Sequence, residues 1–474
     1  MVKYSISQSL RVGNVNKGFT LLINRMGKVM DNQADRQVAV IGAGPAGLYA
    51  AQKLSAQGFG VAIFNRDIKP GGLVEYGIFL DKHKIKNGFR AQFRQILDLE
   101  NVSYFGNVTV GKNGKIRIED LLQWGFSAVL VTCGAQGTKL INLPGETLKG
   151  VYHAKDLVYH YNQLPPFSGY QFDIGKKVMI VGGGNVMTDI AHYLLKYRDV
   201  DEIIVVIRRG PDEVKFDQKE MLPIISNLDL DDFKAEIKRV SPAMLAIGQD
   251  PDAAEHWILA GLPKACPKEH KGRIVLRFLQ SPKEILVDSK GSVAGVKMEH
   301  NSLNRHEENV TSRGTGEFSK LDVDTVIFAI GDSVNDDLEL PMHQNEIVKA
   351  SHPRYPVEGI TFEVGNLSTG DPLPGVFYAG WSRNPSTGLA GIARRDGVFA
   401  ATAVAEFLSS TDKNSSISAD ELHRRLNALQ VNYVNQAKLK LLEADEQAQA
   451  EKLEMEEYKY STNDEMLKVM GLTL

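Results

Sequence analysis

The 474-residue sequence predicts an α/β protein of two open, mostly parallel sheet units, the second inserted in the first. Three observations predict it. An apolar run at Val38–Ile41 leads through a glycine-rich turn into a helical stretch and a second apolar run. The same order recurs from Lys177. A third apolar run, Gly375–Gly380, follows the second unit and returns the chain to the first. A chain this long also exceeds what a single core holds, so two or three domains are expected.

The first unit begins at Gln37. Val38-Ala39-Val40-Ile41 fits a buried parallel strand, Leu48 to Leu54 reads as helix, and Gly58 to Phe64 reads as the next strand. Residues 102–117 predict a small β excursion with a hairpin at Asn113-Gly114. Ala128 to Thr132 is another buried strand. Leu143-Pro144-Gly145-Glu146 then punctuates the chain and marks a crossing. The second unit has a strand at Lys177–Val181, a turn at Gly182-Gly183-Gly184-Asn185, a helix from Val186 to Lys196 and a strand from Glu202 to Ile207. A β meander is expected over 273–300, with a turn at Lys290-Gly291. Asp324 to Ile330 is a further strand, and a second crossing falls near Pro341. Helix is expected from Leu389 to Phe407, and the charged tail from Ser418 reads as solvated surface helix. The expected division is a basic extension over 1–36, a first domain in two segments, 37–145 and 341–474, and a second domain over 146–340. Both domains are Rossmann-like.

Composition excludes several classes. A formal net charge of −3 gives no basic field for nucleic acid. Two cysteines, Cys133 and Cys266, supply neither a four-thiolate cluster nor a C-x-x-C redox pair. No apolar run is long enough to span a bilayer. A reducing, cytoplasmic setting follows. The first thirty residues carry Lys3, Arg11, Lys17, Arg25 and Lys28 with no acid before Asp31. If that segment is a transit peptide, the setting is the mitochondrial matrix.

The chemistry sits in the turns. Gly42, Gly44 and Gly47 form G-x-G-x-x-G between strand and helix. The first glycine permits the tight turn, the second lets a pyrophosphate approach the backbone, and the third lets helix and strand pack closely. With Pro45 and Ala46 they open a helix whose N-terminal N–H groups face the phosphate. An acid normally ends the next strand and binds ribose hydroxyls; here the position holds Asn65. The second turn, with Gly184, Asn185 and Val186, has Met187 at the third glycine position. Its next strand ends at Arg208-Arg209, where two guanidiniums suit the 2′-phosphate of NADP(H). Two such units imply two dinucleotides, and an electron relay between them requires a flavin at the first.

These residues resemble the adrenodoxin-reductase-like family of ferredoxin–NADP reductases. The likeness rests on Val38–Leu54, Gly71–Gly77, Leu143–Glu146, Gly182–Asp189, Arg208–Pro211 with Phe216–Met221, Tyr378–Ile392 and Asp464–Leu467. It implies FAD at Gly42, Gly44, Gly47, Gly72 and Leu73, with a second contact at Gly380-Trp381 and Thr387-Gly388-Leu389-Ala390. It implies NADPH at Gly184, Asn185, Arg208, Arg209 and Glu220, with Trp381 and Gly388 beside the nicotinamide as the catalytic positions. The family's Asp-His pair reads Asp81-Lys82-His83 here. The implied activity is passage of electrons between NADPH and a ferredoxin-type iron–sulfur protein. Two other readings stand beside it: an electron-supplying flavoprotein subunit similar to the glutamate synthase small subunit, and a non-enzymatic nucleotide-binding module.

Overall fold

The computed structural model describes residues 36–411 and 417–472; the expected basic extension lies outside them but for Arg36. The first glycine turn follows β1 (Gln37–Ile41) and opens α1 (Pro45–Ser55). Then come β2 (Gly60–Asn65), the one-turn α2 (Leu73–Tyr76), α3 (His83–Leu97), β3 (Val102–Gly106), α4 (Ile118–Trp124) and β4 (Ala128–Val131). After the connecting strand β5 (Gly137–Thr138), the second unit runs β6 (Val151–His153), α5 (Ala154–Tyr161), β7 (Lys177–Val181), α6 (Asn185–Tyr197) and β8 (Glu202–Ile207). It continues through α7 (Gln218–Met221), α8 (Leu230–Leu245), α9 (Pro251–Leu259) and β9 (Arg273–Phe278). A meander follows, of β10 (Gln280–Val287), β11 (Val293–His306) and β12 (Asn309–Leu321), and then β13 (Thr325–Phe328). After β14 (Asp332–Ser333), β15 (Met342–His343) and β16 (Glu346–Ile347) come β17 (Glu363–Gly365), β18 (Pro372–Tyr378) and α10 (Ala390–Ser410). Last are α11 (Ala419–Ala428), α12 (Gln436–Lys452) and α13 (Asn463–Val469).

Two sheets organise the chain. One has the order β17-β18-β4-β1-β2-β3, and the other β6-β13-β7-β8-β9. All pairings are parallel except β17 on β18. Both central strands are apolar and buried, as parallel strands covered on two faces must be. The late strand β18 lies beside β4 in the first sheet, so the second sheet interrupts the first in sequence. The two connecting segments meet: β5 and β14 pair antiparallel, Gly137 on Ser333 and Thr138 on Asp332.

Three expectations need correction. Residues 102–117 form no hairpin. β3 joins the outer edge of the first sheet parallel to β2, and Gly111 and Gly114 fold a compact loop closed by the Gly111 N–H on the Ile116 carbonyl, 2.7 Å. The meander is longer and later than expected, because β9 belongs to the parallel sheet and only β10–β12 form the antiparallel unit. The tail is solvated on part of its surface only. Leu422, Leu426, Leu439, Leu442, Met466 and Leu467 are buried in the first unit's hydrophobic clusters. Leu422 and Leu426, and Leu439 and Leu442, lie one helical turn apart, so each pair shares one side of its helix; α12 meets β3, and α13 packs on α12.

Candidate functional site

The first turn is built as its glycines require. Gly42 has φ +105°, and a Cβ there would stand 2.7 Å from the Thr132 carbonyl oxygen. Its N–H closes the turn on the Phe64 carbonyl at 2.7 Å. A Cβ on Gly47 would stand 2.2 Å from the Gly42 oxygen, so α1 packs against β1 only with glycine there. Around Gly44 a Cβ would meet nothing within 4 Å. Gly44 caps α1 without a side chain and Pro45 follows, which leaves the first-turn N–H groups for an anion. The Ala46 Cβ points to Gly380, where an added Cβ would stand 2.8 Å from it.

Asn65 braces this turn. Its Oδ1 accepts from the Ala43 N–H at 2.9 Å. Its Nδ2 donates to the carbonyls of Asp67 and Lys69 at 2.8 and 3.1 Å and to the Tyr104 hydroxyl at 3.2 Å. Both amide hydrogens therefore point inward. A carboxylate could not make these donations, which is a physical reason for an amide where an acid was expected.

Two further segments converge on the turn. The Gly71 N–H donates to the Ala43 carbonyl at 2.7 Å. A Cβ on Gly72 would lie 3.1 Å from the Gly44 Cα, so Gly72 and Leu73 sit directly beside the turn. From the other side, α10 crosses α1 so closely that a Cβ on Gly397 would stand 2.1 Å from the Ala46 oxygen. Asp396 on α10 anchors the loop before it: its Oδ2 accepts from the Gly380 N–H at 2.6 Å and from Arg383 Nε at 3.2 Å. Arg383 also lies over the Phe362 ring, 4.7 Å from its centroid. The Trp381 indole N–H donates to the Thr387 carbonyl at 3.1 Å and so closes the loop on itself. Gly388 has φ +73°, and a Cβ there would meet Ile392 at 2.6 Å; the backbone itself requires glycine. Past it Leu389, the uncapped N-cap of α10, and Ile392 are 64% and 52% exposed, with Ala390 between them.

A buried charge cluster underlies this corner. Glu75 on α2 is 2% exposed. Arg90 reaches it at 2.7 Å, Lys459 at 2.9 Å and Lys69 at 3.4 Å, and Lys69 also holds Glu446 at 2.5 Å. Burial alone would raise the Glu75 carboxyl, but Lys459, Lys69 and Arg90 hold it well below the usual range. His83 opens α3 and is turned toward the tail, with Nδ1 3.5 Å from Glu457. Sequence reasoning missed Asp396, Arg383 and this cluster, because each partner lies far away or outside any motif.

The second turn repeats the first. Gly182 has φ +124°, and its N–H closes on the Val206 carbonyl at 2.9 Å. A Cβ on Gly184 would meet nothing within 4 Å. Met187 is buried at 1% and Val186 is exposed. Asn185 is held from outside: its Nδ2 donates to Asp217 at 2.8 Å, and the Asp217 N–H donates back to its Oδ1 at 2.7 Å. At the end of β8, Arg208 is exposed and Arg209 half-buried. Neither guanidinium has a hydrogen bond or ion pair among the described residues.

The two turns are linked. Lys82 from the first unit donates to Glu220 on α7 at 2.6 Å and lies 4.0 Å from Asp189 on α6. Burial pushes the Asp189 carboxyl up to about 6, with Lys82 opposing. Beside the Gly182 turn, the Ala329 N–H bonds the Val181 carbonyl at 2.9 Å. Three residues on, the Asp332 N–H donates to Ser386 Oγ at 2.8 Å, two residues before Gly388.

Such an arrangement fits two dinucleotides. Open space stands in front of Gly44 and Gly184, two unpaired guanidiniums mark the second strand end, and apolar Leu389 and Ile392 face outward where a flat ring needs cover. Among the described residues no cluster of side chains could hold a metal, and no helix is long and apolar enough to cross a membrane.

Comparison with known proteins agrees with this. The pyridine nucleotide-disulphide oxidoreductase family matches residues 36–226. The NADPH-ferredoxin reductase FprA of Mycobacterium leprae is 26% identical over 423 residues, covering 82% of this chain and 87% of that one. The mitochondrial NADPH:adrenodoxin oxidoreductase of Salvelinus fontinalis is 28% identical over 386 residues, covering 74% of each. Among solved structures, FprA of Mycobacterium tuberculosis superposes with a TM-score of 0.76 at 24% identity, covering 92% of this chain and 99% of that one. That likeness bears out the fold class, and the relatives bear out the resemblance to the adrenodoxin-reductase-like family.

Proposed function

We propose that this chain, a relative of the NADPH-ferredoxin and adrenodoxin reductases, is an FAD-dependent oxidoreductase that passes electrons between NADPH and a ferredoxin-type iron–sulfur protein. One observation carries the reading. Two phosphate-cradling turns of matching backbone geometry are linked within one molecule, and only the second strand end carries arginines without a charge partner, since Arg66 after the first is paired with Asp67 at 2.9 Å.

In this reading the first segment (37–145) and the last (341–474) hold FAD, and the intervening 146–340 holds NADPH. Gly42, Gly44, Ala46 and Gly47 cradle the flavin pyrophosphate, with Pro45 starting the helix at no cost in N–H donors. Gly72 and Leu73, beside the first turn, would hold the flavin together with Gly380, Leu389 and Ala390. Asn65 acts indirectly, by holding the turn. Gly184, Asn185 and Val186 face the NADPH pyrophosphate, and Arg208 and Arg209 take the 2′-phosphate through charge-assisted bonds. Glu220, held by Lys82, would be a further NADPH contact. Trp381 and Gly388 shape the loop beside the nicotinamide.

FAD, when bound, accepts two electrons as hydride and releases them singly, which matches a dinucleotide donor to a one-electron acceptor. The protein contributes position. The N-terminus of α10 would offer its positive end to the bound flavin, and Asp396 fixes the loop that precedes it. No side-chain nucleophile is required.

The test is anaerobic. The purified chain is expected to be yellow, to be bleached by NADPH far faster than by NADH, and then to reduce a ferredoxin. A colourless protein, or equal rates with both nucleotides, overturns the reading. With no helix able to cross a membrane among the described residues, we place the reaction in an aqueous compartment, the cytoplasm or the mitochondrial matrix.

A further inference from the structure

We propose that Lys215 is a third cation of the second turn and grips the pyrophosphate of the bound dinucleotide, apart from the arginines that read the 2′-phosphate. The inference rests on the reading of that turn as the NADPH site and assigns one more residue to it.

The backbone places Lys215 there. After β8 the chain swings out through Pro211–Glu213 and returns across the turn. The Lys215 N–H donates to the Gly183 carbonyl at 2.7 Å, and Gly184 and Lys215 pair as an isolated parallel bridge. Residue 215 is thereby strapped to the middle of the glycine turn, whereas Arg208 and Arg209 stand at the end of the neighbouring strand.

The side chain points to the ligand's side. Val214 and Asp217 have extended backbone, with ψ of 148° and 141°, and side chains alternate along an extended segment. Phe216 is buried at 3% in the second unit's core. Lys215 and Asp217 therefore project the other way, and both are exposed. Asp217 on that face reaches Asn185, the first residue of α6, at 2.8 Å, so the face is the one the turn presents. A Cβ on Gly184 would meet nothing within 4 Å, so the space ahead of the turn is open.

The charges leave Lys215 available. Its ammonium has no hydrogen bond or ion pair among the described residues. The nearby acids are engaged elsewhere. Asp217 accepts from Asn185, Asp212 from Gln249 at 3.2 Å, and Glu213 from Gln249 and from the Gly210 N–H at 2.9 Å. A lysine ammonium is a compact, mobile point charge, suited to a pyrophosphate whose oxygens face several directions. The division of labour follows from position: strand-end arginines discriminate between the two nucleotides, and Lys215 strengthens both.

The test is calorimetric titration of the full-length, FAD-loaded chain with NADP+ and with NAD+. Lys215→Met is expected to weaken both nucleotides by the same factor, on the order of tenfold, as loss of a charge-assisted hydrogen bond implies. Lys215→Arg is expected to restore most of that loss. The double variant R208A/R209A is expected to weaken NADP+ alone. Weakening by Lys215→Met confined to NADP+ would place Lys215 at the 2′-phosphate and overturn the assignment. Unchanged affinity for both nucleotides would also overturn it. A wild-type chain that binds neither nucleotide would overturn the reading of the second turn itself, and this proposal with it.

Discussion

Gly42 and Gly182 close their turns by the same hydrogen bond, from a glycine N–H to a carbonyl of the neighbouring strand, at 2.7 and 2.9 Å. Each is followed two residues later by a glycine with open space where a Cβ would stand. Beyond that the two regions diverge. At the first strand end Arg66 is paired with Asp67 at 2.9 Å and Asn65 is turned inward as a brace, and the turn is buttressed by α10 and by the Glu75 cluster. The second ends in two unpaired arginines and is held by one returning segment, through Lys215 and Asp217. The backbone cradle is thus generic to a pyrophosphate. In the proposed reading, discrimination resides at the strand end and rigidity comes from what packs behind the turn.

The third glycine position tests this most severely. Gly47→Val would drive Cβ into the Gly42 carbonyl, so we expect a flavin-free protein destabilised by more than about 4 kcal/mol, read by urea unfolding and flavin content. Met187→Leu at the matching position conserves volume and should cost less than about 1.5 kcal/mol. A G47V protein with normal flavin content would break the comparison.

Next in size is the buttress. Lys459→Met strips one cation from a carboxylate that is 2% exposed, an effect of about 3 kcal/mol when a buried pair is broken. Because the Glu75 carboxyl is held below its unfolded value, the folded chain binds fewer protons than the unfolded one. The stability this confers is present above the ordinary carboxylate range and is lost as pH falls below it. The variant should therefore unfold in acid at a higher pH than the wild type, with its residual NADP+ affinity unchanged. An acid transition at the wild-type pH would remove the cluster from the account.

Charge at the second strand end should count for less in stability and more in selection. R208A/R209A is expected to lower NADPH affinity by roughly 10- to 100-fold with NADH little affected, measured by stopped-flow reduction of the flavin. Smallest is the link between the units. Lys82 and Glu220 are about one-third exposed (33% and 29%), so Lys82→Ala should change stability by less than about 1 kcal/mol. A larger loss in thermal unfolding would show that the link holds the two units together.

Much of this was legible in one dimension. The strands at Lys177–Val181 and Glu202–Ile207 stand where the apolar runs put them, because a strand buried on both faces writes a continuous apolar signature. The glycine turns are equally local, since steric limits at Gly42 and Gly47 follow from a few neighbouring atoms. The tail was misjudged for the opposite reason. Glu446 looks like a solvated charge on a charged helix, yet it is 6% exposed and paired with Lys69, a partner in the first unit that no local pattern names.

The sequence by itself determined the two strand–turn–helix units, their order, and which side chains stand at each strand end, because these depend on backbone sterics and side-chain type over short spans. Only the tertiary structure decided that Asn65 braces the turn, that Asp396 anchors the loop before α10, and that the tail buries charge under α2. Those outcomes depend on which distant groups meet and on whether a buried charge finds its partner, and such energies exist only once the chain has folded.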